Sequence, residues 1–254
     1  RQCQADEIYY LAGQSSVNLS FERPHDAIHS ISIAILNVLE ACKLIDRPVR
    51  VFNAGSSECF GNTGEIAATE DTPFSPLSPY AVAKCAAYWL VESYRESYGL
   101  WACTGILFSH ESPLRTETFV TQKIVMSSKR IAAGSAEILQ IGDIDISRDW
   151  GWAPEYVEGM WKMLQQSEPK DYVIATGDTN SLRDFLEAAF EYNELDWTRH
   201  TVISENCSRP VDVKASRADP KRIEIELTTL KDEEQETNGT LSFFINGRYL
   251  WGEK

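Results

Sequence analysis

The sequence contains no apolar run of about 18 residues and no segment with the pattern of a signal peptide. A membrane-spanning helix needs roughly 20 mostly apolar residues, so we expect a protein that neither crosses nor enters a membrane. Its six cysteines form no C-x-x-C pair and no His/Cys spacing typical of a metal site. This pattern is typical of reduced, mostly buried thiols, and it predicts a cytoplasmic protein without a bound metal.

An excess of positive charge is also missing. The chain carries 24 lysines and arginines against 38 aspartates and glutamates, which gives a formal net charge of −14. That balance argues against nucleic acid or an anionic membrane as the main partner. It leaves room for a small ligand with phosphate groups, provided that local cations or a helix N-terminus meet those phosphates.

Strand-like and helix-like segments alternate along the chain, and 43% of the residues are hydrophobic, enough for a large core. The sequence predicts strands at residues 7–13, 49–54 and 100–108, and helices at residues 21–43, 80–99 and 119–133. Beyond them it predicts short strands and two more helices, the last one capped by Ser181. Such alternation favours an α/β fold built on a parallel sheet.

A polar turn follows each of the first three predicted strands. The turns read "GQSS" from Gly13, "GSSE" from Gly55 and "SHESPLR" from Ser109. Ligands of parallel sheets bind beyond the carboxyl ends of the strands. We therefore expect all three turns to open on the same edge of the sheet.

Tyr80 and Lys84 lie four residues apart at the start of a predicted helix, a spacing that stacks two side chains on one face. A phenol with an unperturbed pKa of about 10 needs a neighbouring cation to act as a base near neutral pH. Lys84 would lower the pKa of the phenol, and Ser56 would hydrogen-bond the reacting oxygen. An exposed tyrosine beside a solvated lysine is the plain alternative, but the preceding serine-rich turn favours catalysis.

Glu58 follows Ser56 by two residues. A simple dehydrogenase would need only Ser56, Tyr80 and Lys84. A carboxylate beside them offers a second acid or base, which can remove a proton next to a carbonyl and help to expel water. From spacing alone, a solvated turn residue explains Glu58 equally well.

Six segments carry a family resemblance: "YYLAGQSSVNLSFERP", "NAGSSECFG", "TPFSPLSPYAVAKCAAYWLVESYRESYGL", "GILFSHESPLRTETFVTQKI", "RDWGWAPEYVEGMWKMLQQSEPKDYVIATG" and "RPVDV". Together they resemble the GDP-mannose 4,6-dehydratases, which belong to the extended short-chain dehydrogenase/reductase group. The resemblance runs from about Asp6 to Leu227. It implies a Rossmann-like fold, a cytoplasmic homo-oligomer (dimer or tetramer), and conversion of GDP-mannose to GDP-4-keto-6-deoxy-mannose on the route to GDP-fucose.

The resemblance also implies how the reaction runs. Hydride would pass from the hexose to a bound NADP and back within one turnover. Tyr80, with Lys84, would take the proton from the hexose O4, and Glu58 would remove the C5 proton and assist loss of water. Ser56 stands where the family has threonine, a replacement that keeps the hydroxyl.

Binding roles follow from the same resemblance. The residues implied to contact the cofactor are Leu11, Ala12, Gly13, Gln14, Ser15, Tyr80, Lys84, His110 and Arg115. Those implied for GDP-mannose are Lys123, Arg148, Arg209 and Asp212. Each has a plainer alternative: His110 as a structural histidine, Arg148 as the partner of Asp149, and Lys123 and Arg209 as surface charges.

The chain departs from the family pattern most clearly in what it lacks, a glycine-rich dinucleotide-binding turn. Because the sequence begins at Arg1 and enters a strand at once, we expect a Rossmann-like parallel sheet lacking its N-terminal strands, with a smaller C-terminal substrate-binding lobe. The predicted parts are a partial NAD(P)-binding domain (1–112), a mixed Rossmann and substrate-binding region (113–227) and a divergent charged tail (228–254). Such a chain would bind NADP poorly by itself.

Smaller differences fall on the implied substrate contacts. Ser109 replaces an asparagine of the family, Trp152 a histidine and Asp212 a glutamate. Two alternatives to the dehydratase therefore stay open. One is a truncated or decayed homologue without activity, and the other is a different NAD(P)-dependent nucleotide-sugar epimerase or dehydratase.

Overall fold

The computed structural model describes residues 5–228 except residues 46, 205, 206 and 208. The predicted charged tail lies outside this range apart from Thr228, and so does Cys3. The described chain folds around one main sheet with helices on both faces, and two smaller sheets extend from it.

The main sheet has four parallel strands in the order β1-β2-β3-β7. Their bounds are Glu7–Tyr10 for β1, Arg50–Ala54 for β2, Ala102–Leu107 for β3 and Tyr172–Ile174 for β7. Strand β3 is buried at every position, as expected for a parallel strand covered on both faces. The predicted α/β class is confirmed.

Alternate residues of the strands build two hydrophobic cores. Val51 and Ala102 face the helices between β1 and β3, whereas Phe52 and Cys103 face the helices near the C-terminal end. This division follows from the two-residue period of a strand, which sends neighbouring side chains to opposite faces. The sheet is therefore a buried central layer, and only its edges are open to ligands.

The first predicted helix, residues 21–43, is interrupted. The chain instead forms α1 (Val17–Glu22), α2 (Pro24–Ile28), a π-helical turn (His29–Ile33) and α3 (Ala34–Lys43). Pro24 has no N–H to continue a helix, so α1 ends before it and α2 begins with it. The π turn then changes which side of the helix faces the core, so that Ile28 is exposed while Ile31 and Ile35 are buried.

The second predicted helix is confirmed as α4 (Pro79–Tyr98). Ser78 caps its first turn, because its side chain accepts a hydrogen bond from the Ala81 N–H. Gly99 ends it in the left-handed conformation, where a residue without Cβ is favoured. The proline and glycine at the two ends fix the register that carries Tyr80 and Lys84.

The second half of the chain adds the smaller sheets and their helices. Strands β4 (Ser109–Glu111), β6 (Ser147–Trp152), β8 (Thr179–Ser181) and β10 (Ala215–Ser216) form one sheet, and β5 (Leu139–Ile141) pairs with β9 (Thr201–Ile203). The helices are α5 (Val120–Ala132), α6 (Ala153–Gln165), α7 (Leu182–Glu191) and α8 (Lys221–Thr228). Ser181 caps α7, as predicted.

Candidate functional site

The three polar turns lie at one edge of the main sheet. In the parallel register Tyr10 pairs with Asn53, and Ala54 pairs with Gly105, so the strands end side by side. The turn at Gly13 follows β1, the turn at Gly55 follows β2, and β4 with its following turn continues from β3. The predicted common edge is confirmed.

A 3₁₀ turn, Ser57–Phe60, presents Glu58 at this edge. The Ser56 side chain accepts a hydrogen bond of 3.3 Å from the Glu58 N–H and so caps the turn. Gly61 closes the turn at a φ of +66°, and a Cβ there would lie 2.2 Å from the Ser75 carbonyl oxygen. Glycine is required at this position, and it holds the Glu58 turn close to the loop that leads into α4.

Tyr80 and Lys84 lie on one face of α4, and both are buried. The Lys84 ammonium is 5.7 Å from the centroid of the Tyr80 ring. It donates a hydrogen bond of 2.8 Å to the carbonyl oxygen of Ala54, the last residue of β2. The alternative of an exposed tyrosine beside a solvated lysine is therefore wrong for this pair.

The protonation of the pair differs from the sequence prediction. Burial raises the pKa of the Tyr80 phenol, the nearby charges of Cys59 and Glu58 add to the rise, and the Ser56 hydroxyl and Arg115 oppose it. Burial lowers the pKa of Lys84 to about 8. The prediction of a lowered phenol pKa is wrong for this structure, because desolvation of the ring outweighs the Ser56 hydrogen bond and the Arg115 charge.

Glu58 faces a group of charged side chains. The Arg209 guanidinium lies 4.0 Å from its carboxylate, and Asp212 accepts hydrogen bonds from both Arg148, at 3.0 Å, and Arg209, at 3.3 Å. Burial raises the pKa of Glu58, the two arginines lower it, and Asp212 raises it. With only 16% of its side chain exposed, Glu58 is not a solvated turn residue.

Arg148 does not pair with Asp149, so that alternative is wrong. The Asp149 carboxylate accepts hydrogen bonds from the N–H and hydroxyl of Thr176 and from the N–H of Gly177, all within 3.0 Å. Burial raises the pKa of Asp149 to about 6. Arg148 is left to face Glu58 and Asp212 instead.

His110 lies in β4 and Arg115 in the turn that follows it, at the same edge of the main sheet. The Nδ1 atom of His110 is 2.8 Å from the Phe108 carbonyl oxygen, and its ring stacks on Tyr156. These contacts give His110 a structural role of its own. Burial lowers the pKa of His110, and the Arg115 charge adds to that lowering.

The remaining implied ligand residues are more dispersed. Leu11, Ala12, Gly13 and Ser15 are exposed beyond β1, where they border the open edge. The Gln14 N–H donates to the Ser30 hydroxyl, but its buried side-chain oxygen has no hydrogen-bond partner. Lys123 donates to the Gln140 carbonyl oxygen in the smaller lobe, and none of its described contacts joins it to the Glu58 group.

Residues 1–229 match the sequence profile of the family described as GDP-mannose 4,6 dehydratase. The chain belongs to this family. Curated relatives include GDP-mannose 4,6 dehydratase 1 of Arabidopsis thaliana, 47% identical over 85% of this chain and 61% of the relative. The GDP-mannose 4,6-dehydratase of Sinorhizobium fredii is 51% identical over 75% of this chain and 55% of the relative. The chain thus spans little more than half the length of these relatives.

Solved structures of other proteins share the fold. RMD from Pseudomonas aeruginosa, complexed with NADPH, superposes with a TM-score of 0.80 at 23% identity, covering 88% of this chain and 75% of that one. UDP-glucose 4-epimerase from Thermus thermophilus, complexed with NAD, gives a TM-score of 0.77 at 24% identity, covering 87% and 71%. At these identities the similarity establishes the fold of the dehydratase-family chain and nothing more.

Within the described part of the chain, no helix is both long and apolar enough to cross a membrane. Those residues also contain no cluster of three or more histidine, cysteine or acidic side chains that could hold a metal ion.

The sequence reasoning missed two features of the site. Glu111 lies 3.3 Å from the Arg115 guanidinium, in a strand end and turn where no helical spacing indicates the pair. The Cys85 thiol lies 4.0 Å from the Cys59 carbonyl oxygen, and the Cys59 thiol lies 3.9 Å from the Ala81 carbonyl oxygen, so the two cysteines are neighbours next to Glu58 and Lys84. No sequence pattern joins these two cysteines, because their contact arises only when the Glu58 turn packs against α4.

Proposed function

We propose that the chain carries the acid–base centre of a GDP-mannose 4,6-dehydratase. The observation that carries this proposal is the convergence of Ser56, Glu58, Tyr80 and Lys84 at one edge of the sheet. Glu58 distinguishes the site from that of a simple dehydrogenase, because a second buried acid–base group beside the phenol is needed to remove water from the sugar. Membership of the dehydratase family supports the same assignment.

Arg148, Arg209 and Asp212 are suited to the nucleotide diphosphate of the substrate. The two guanidinium groups supply the local positive charge that a diphosphate requires on a chain with a net charge of −14. Their position beside Glu58 would bring the attached hexose to the acid–base groups. Lys123 would approach the nucleotide from the smaller lobe once its ammonium leaves the Gln140 carbonyl oxygen.

The chain's own groups would handle three protons. Tyr80 would accept the O4 proton of the hexose, with Ser56 donating a hydrogen bond to the same oxygen. Glu58 would then take the C5 proton, which becomes acidic once C4 is a ketone, and deliver a proton to the C6 hydroxyl as it leaves as water. Since burial raises the pKa of Tyr80, Arg115 and Lys84 are the cations that would stabilise the phenolate.

NADP is the proposed cofactor, and when bound it would supply the hydride acceptor for C4 and the donor for C6. Tyr80, Lys84, His110, Arg115 and residues 11–15 would border it. The unpartnered side-chain oxygen of Gln14 fits an amide or hydroxyl donor of such a ligand. Membership of the GDP-mannose 4,6-dehydratase family supports NADP as this cofactor. The glycine-rich turn for the cofactor phosphates is not part of this sequence.

The wider setting follows from the same proposal. A cytoplasmic homo-oligomer, dimer or tetramer, would act in nucleotide-sugar metabolism and deliver the keto sugar for GDP-fucose synthesis. The net charge of −14 argues against nucleic acid and anionic membranes as partners.

An epimerase is the second candidate function, because epimerases share the fold. The buried Glu58 with its two arginines favours the dehydratase, since epimerisation at C4 does not require a base for C5. A non-catalytic homologue is the third candidate. The buried phenol, lysine and carboxylate at one edge of the sheet disfavour it, because a protein without activity does not need these groups together.

Incubation of the purified chain with GDP-mannose and NADP tests the proposal. Because this chain lacks the glycine-rich turn and would bind NADP poorly, NADP is supplied in large excess. We then expect a product with a 4-keto group, lost in Tyr80→Phe and retained in Tyr98→Phe, which alters an exposed tyrosine on the same helix. Titration calorimetry with each ligand separately identifies which binding step is present. Failure to bind GDP-mannose would refute the proposed function for this chain.

A further inference from the structure

We propose that Cys59 and Cys85 form a reversible oxidation site, in which a disulfide links the Glu58 turn to helix α4. The site is separate from the dehydratase chemistry, which uses neither sulfur. It arises because each cysteine directly follows a candidate catalytic residue: Cys59 follows Glu58, and Cys85 follows Lys84.

The two thiols pack around a single turn of α4. The Cys59 sulfur lies 3.9 Å from the Ala81 carbonyl oxygen, which accepts the backbone N–H of Cys85 in the α-helical pattern. The Cys85 sulfur lies 4.0 Å from the carbonyl oxygen of Cys59. Each sulfur therefore contacts the backbone beside the other cysteine, which places both side chains at the same contact between the Glu58 turn and α4.

Cys85 also differs in its pKa from the other described buried cysteines, Cys59 included. The hydrogen bond from Cys59 lowers the pKa of the Cys85 thiol, whereas burial raises the pKa values of Cys42 and Cys103. Cys85 keeps 8% of its surface exposed, and Cys59 only 1%. A thiolate with some exposure beside a resolving thiol is the arrangement that reacts with peroxides.

The oxidant would be a hydroperoxide. The Cys85 thiolate attacks the peroxide oxygen, the O–O bond breaks, and the products are a sulfenic acid and hydroxide. The Cys59 thiol then attacks the sulfenic sulfur, forming the S–S bond and releasing water. The two sulfurs lose two electrons in total and the peroxide gains them, and a thiol reductant reverses the change.

Closing this bond would disturb the acid–base groups. The S–S distance of a disulfide is about 2.05 Å, much shorter than the contact between two unbonded sulfurs, so the Glu58 turn must move toward α4. A displacement near 1 Å in a catalytic group can reduce a rate by about 100-fold. Peroxide is therefore expected to reduce dehydratase activity by about 10- to 100-fold, and dithiothreitol to restore it.

Peptide mapping tests the proposal without relying on activity. Trypsin cuts after Lys84, which places Cys59 in peptide 51–84 and Cys85 in peptide 85–95. After hydrogen peroxide treatment, alkylation and digestion without reductant, we expect these two peptides to be linked, with the loss of two hydrogens. The link should disappear in Cys85→Ser and persist in Cys103→Ser, which removes another buried thiol.

Recovery of peptide 85–95 in unlinked form from the peroxide-treated wild type, whatever its oxidation state, would overturn the proposal. That result stands even if Cys85→Ser fails to fold, because it comes from the wild-type chain. A linked pair in a chain without dehydratase activity would count against the proposed function and leave the oxidation site intact.

Discussion

At the scale of single residues, Asp212 sets the charge that Glu58 experiences. It holds the guanidinium groups of Arg148 and Arg209, and it raises the pKa of Glu58 while they lower it. A diphosphate bound by the same arginines would compete with Asp212 for their hydrogen bonds. The hydrogen bonds between Asp212 and the two arginines therefore link substrate binding to the protonation of Glu58, the proposed base.

Replacement of Asp212 by asparagine is expected to lower the pKa of Glu58. The substitution removes a negative charge that raises this pKa and leaves the two arginines that lower it. The acidic limb of the profile of kcat/KM against pH should move to lower pH, where Glu58 would now stay ionised. Asp212→Glu, which keeps the charge, should leave the limb close to its wild-type position. A shift to higher pH in Asp212→Asn would contradict the described charge arrangement.

Removal of the Glu58 carboxylate should affect catalysis and spare binding. In Glu58→Gln we expect a fall in kcat of about 100- to 10,000-fold, the usual contribution of a positioned base. Calorimetric affinity for GDP-mannose should stay within a few-fold of wild type, because the arginines remain. Glu65→Gln, at an exposed position seven residues on, is the matched control. Equal activity in both variants would remove Glu58 from the mechanism.

The sequence predicts that Tyr80 and Lys84 share a helix face and that Ser56 and Glu58 follow a strand, because spacing on a helix and position after a strand are local properties. It predicts the protonation of these groups poorly. The raised pKa of Tyr80 depends on burial by segments distant in the chain. In the same way, the pairing of Arg148 with Asp212 joins residues 64 positions apart, and no local pattern indicates it.

At the scale of elements, capping residues decided which helix predictions were right. Helix α4 has Ser78 and Pro79 at one end and Gly99 at the other, and its predicted bounds are nearly those observed. The region from Val17 to Lys43 has a proline near its start and a π turn within it. The hydrophobic periodicity did not reveal the π turn. One extra residue in a turn changes which side of the helix faces the core, but it leaves the number of apolar residues in the segment unchanged.

The cap of α7 allows a direct test at this scale. Ser181 and Asp184 form a capping box, in which each side chain accepts a hydrogen bond from the other residue's N–H. Ser181→Ala should lower the free energy of unfolding by about 1 kcal/mol. Ser181→Thr, which retains the hydroxyl, should lose much less. Urea denaturation followed by circular dichroism measures both, and equal stability of the alanine and threonine variants would contradict the role of the cap.

At the scale of the whole molecule, Asp149 ties the smaller sheet to the main one. It belongs to β6, and its three hydrogen bonds reach the turn that follows β7. Without this carboxylate, the N–H groups of Thr176 and Gly177 would lose the acceptor they have in the structure. The contact joins the smaller sheet to the main sheet within the region 113–227, and the sequence analysis did not predict it.

The contribution of Asp149 to the free energy of unfolding should decrease as the pH rises. The folded-state pKa of Asp149 is about 6, above its usual 3.8. Its stabilising contribution is therefore full below about pH 4 and is lost as the pH rises through about 6. The free energy of unfolding of the wild type relative to Asp149→Asn should fall by about 2–3 kcal/mol between pH 4 and pH 7.5. Urea titrations of both proteins at the two pH values measure it, and a difference that grows with pH would contradict the described burial.

The most direct test of the central claim is the mass of the product formed from GDP-mannose in deuterium oxide. If Glu58 removes the C5 proton and water leaves from C6, the chain with NADP should yield a nucleotide sugar lighter by one water, with one deuterium at C5. An unchanged mass with altered stereochemistry at C4 would identify an epimerase. Unaltered GDP-mannose would contradict the assignment of this site to sugar dehydration.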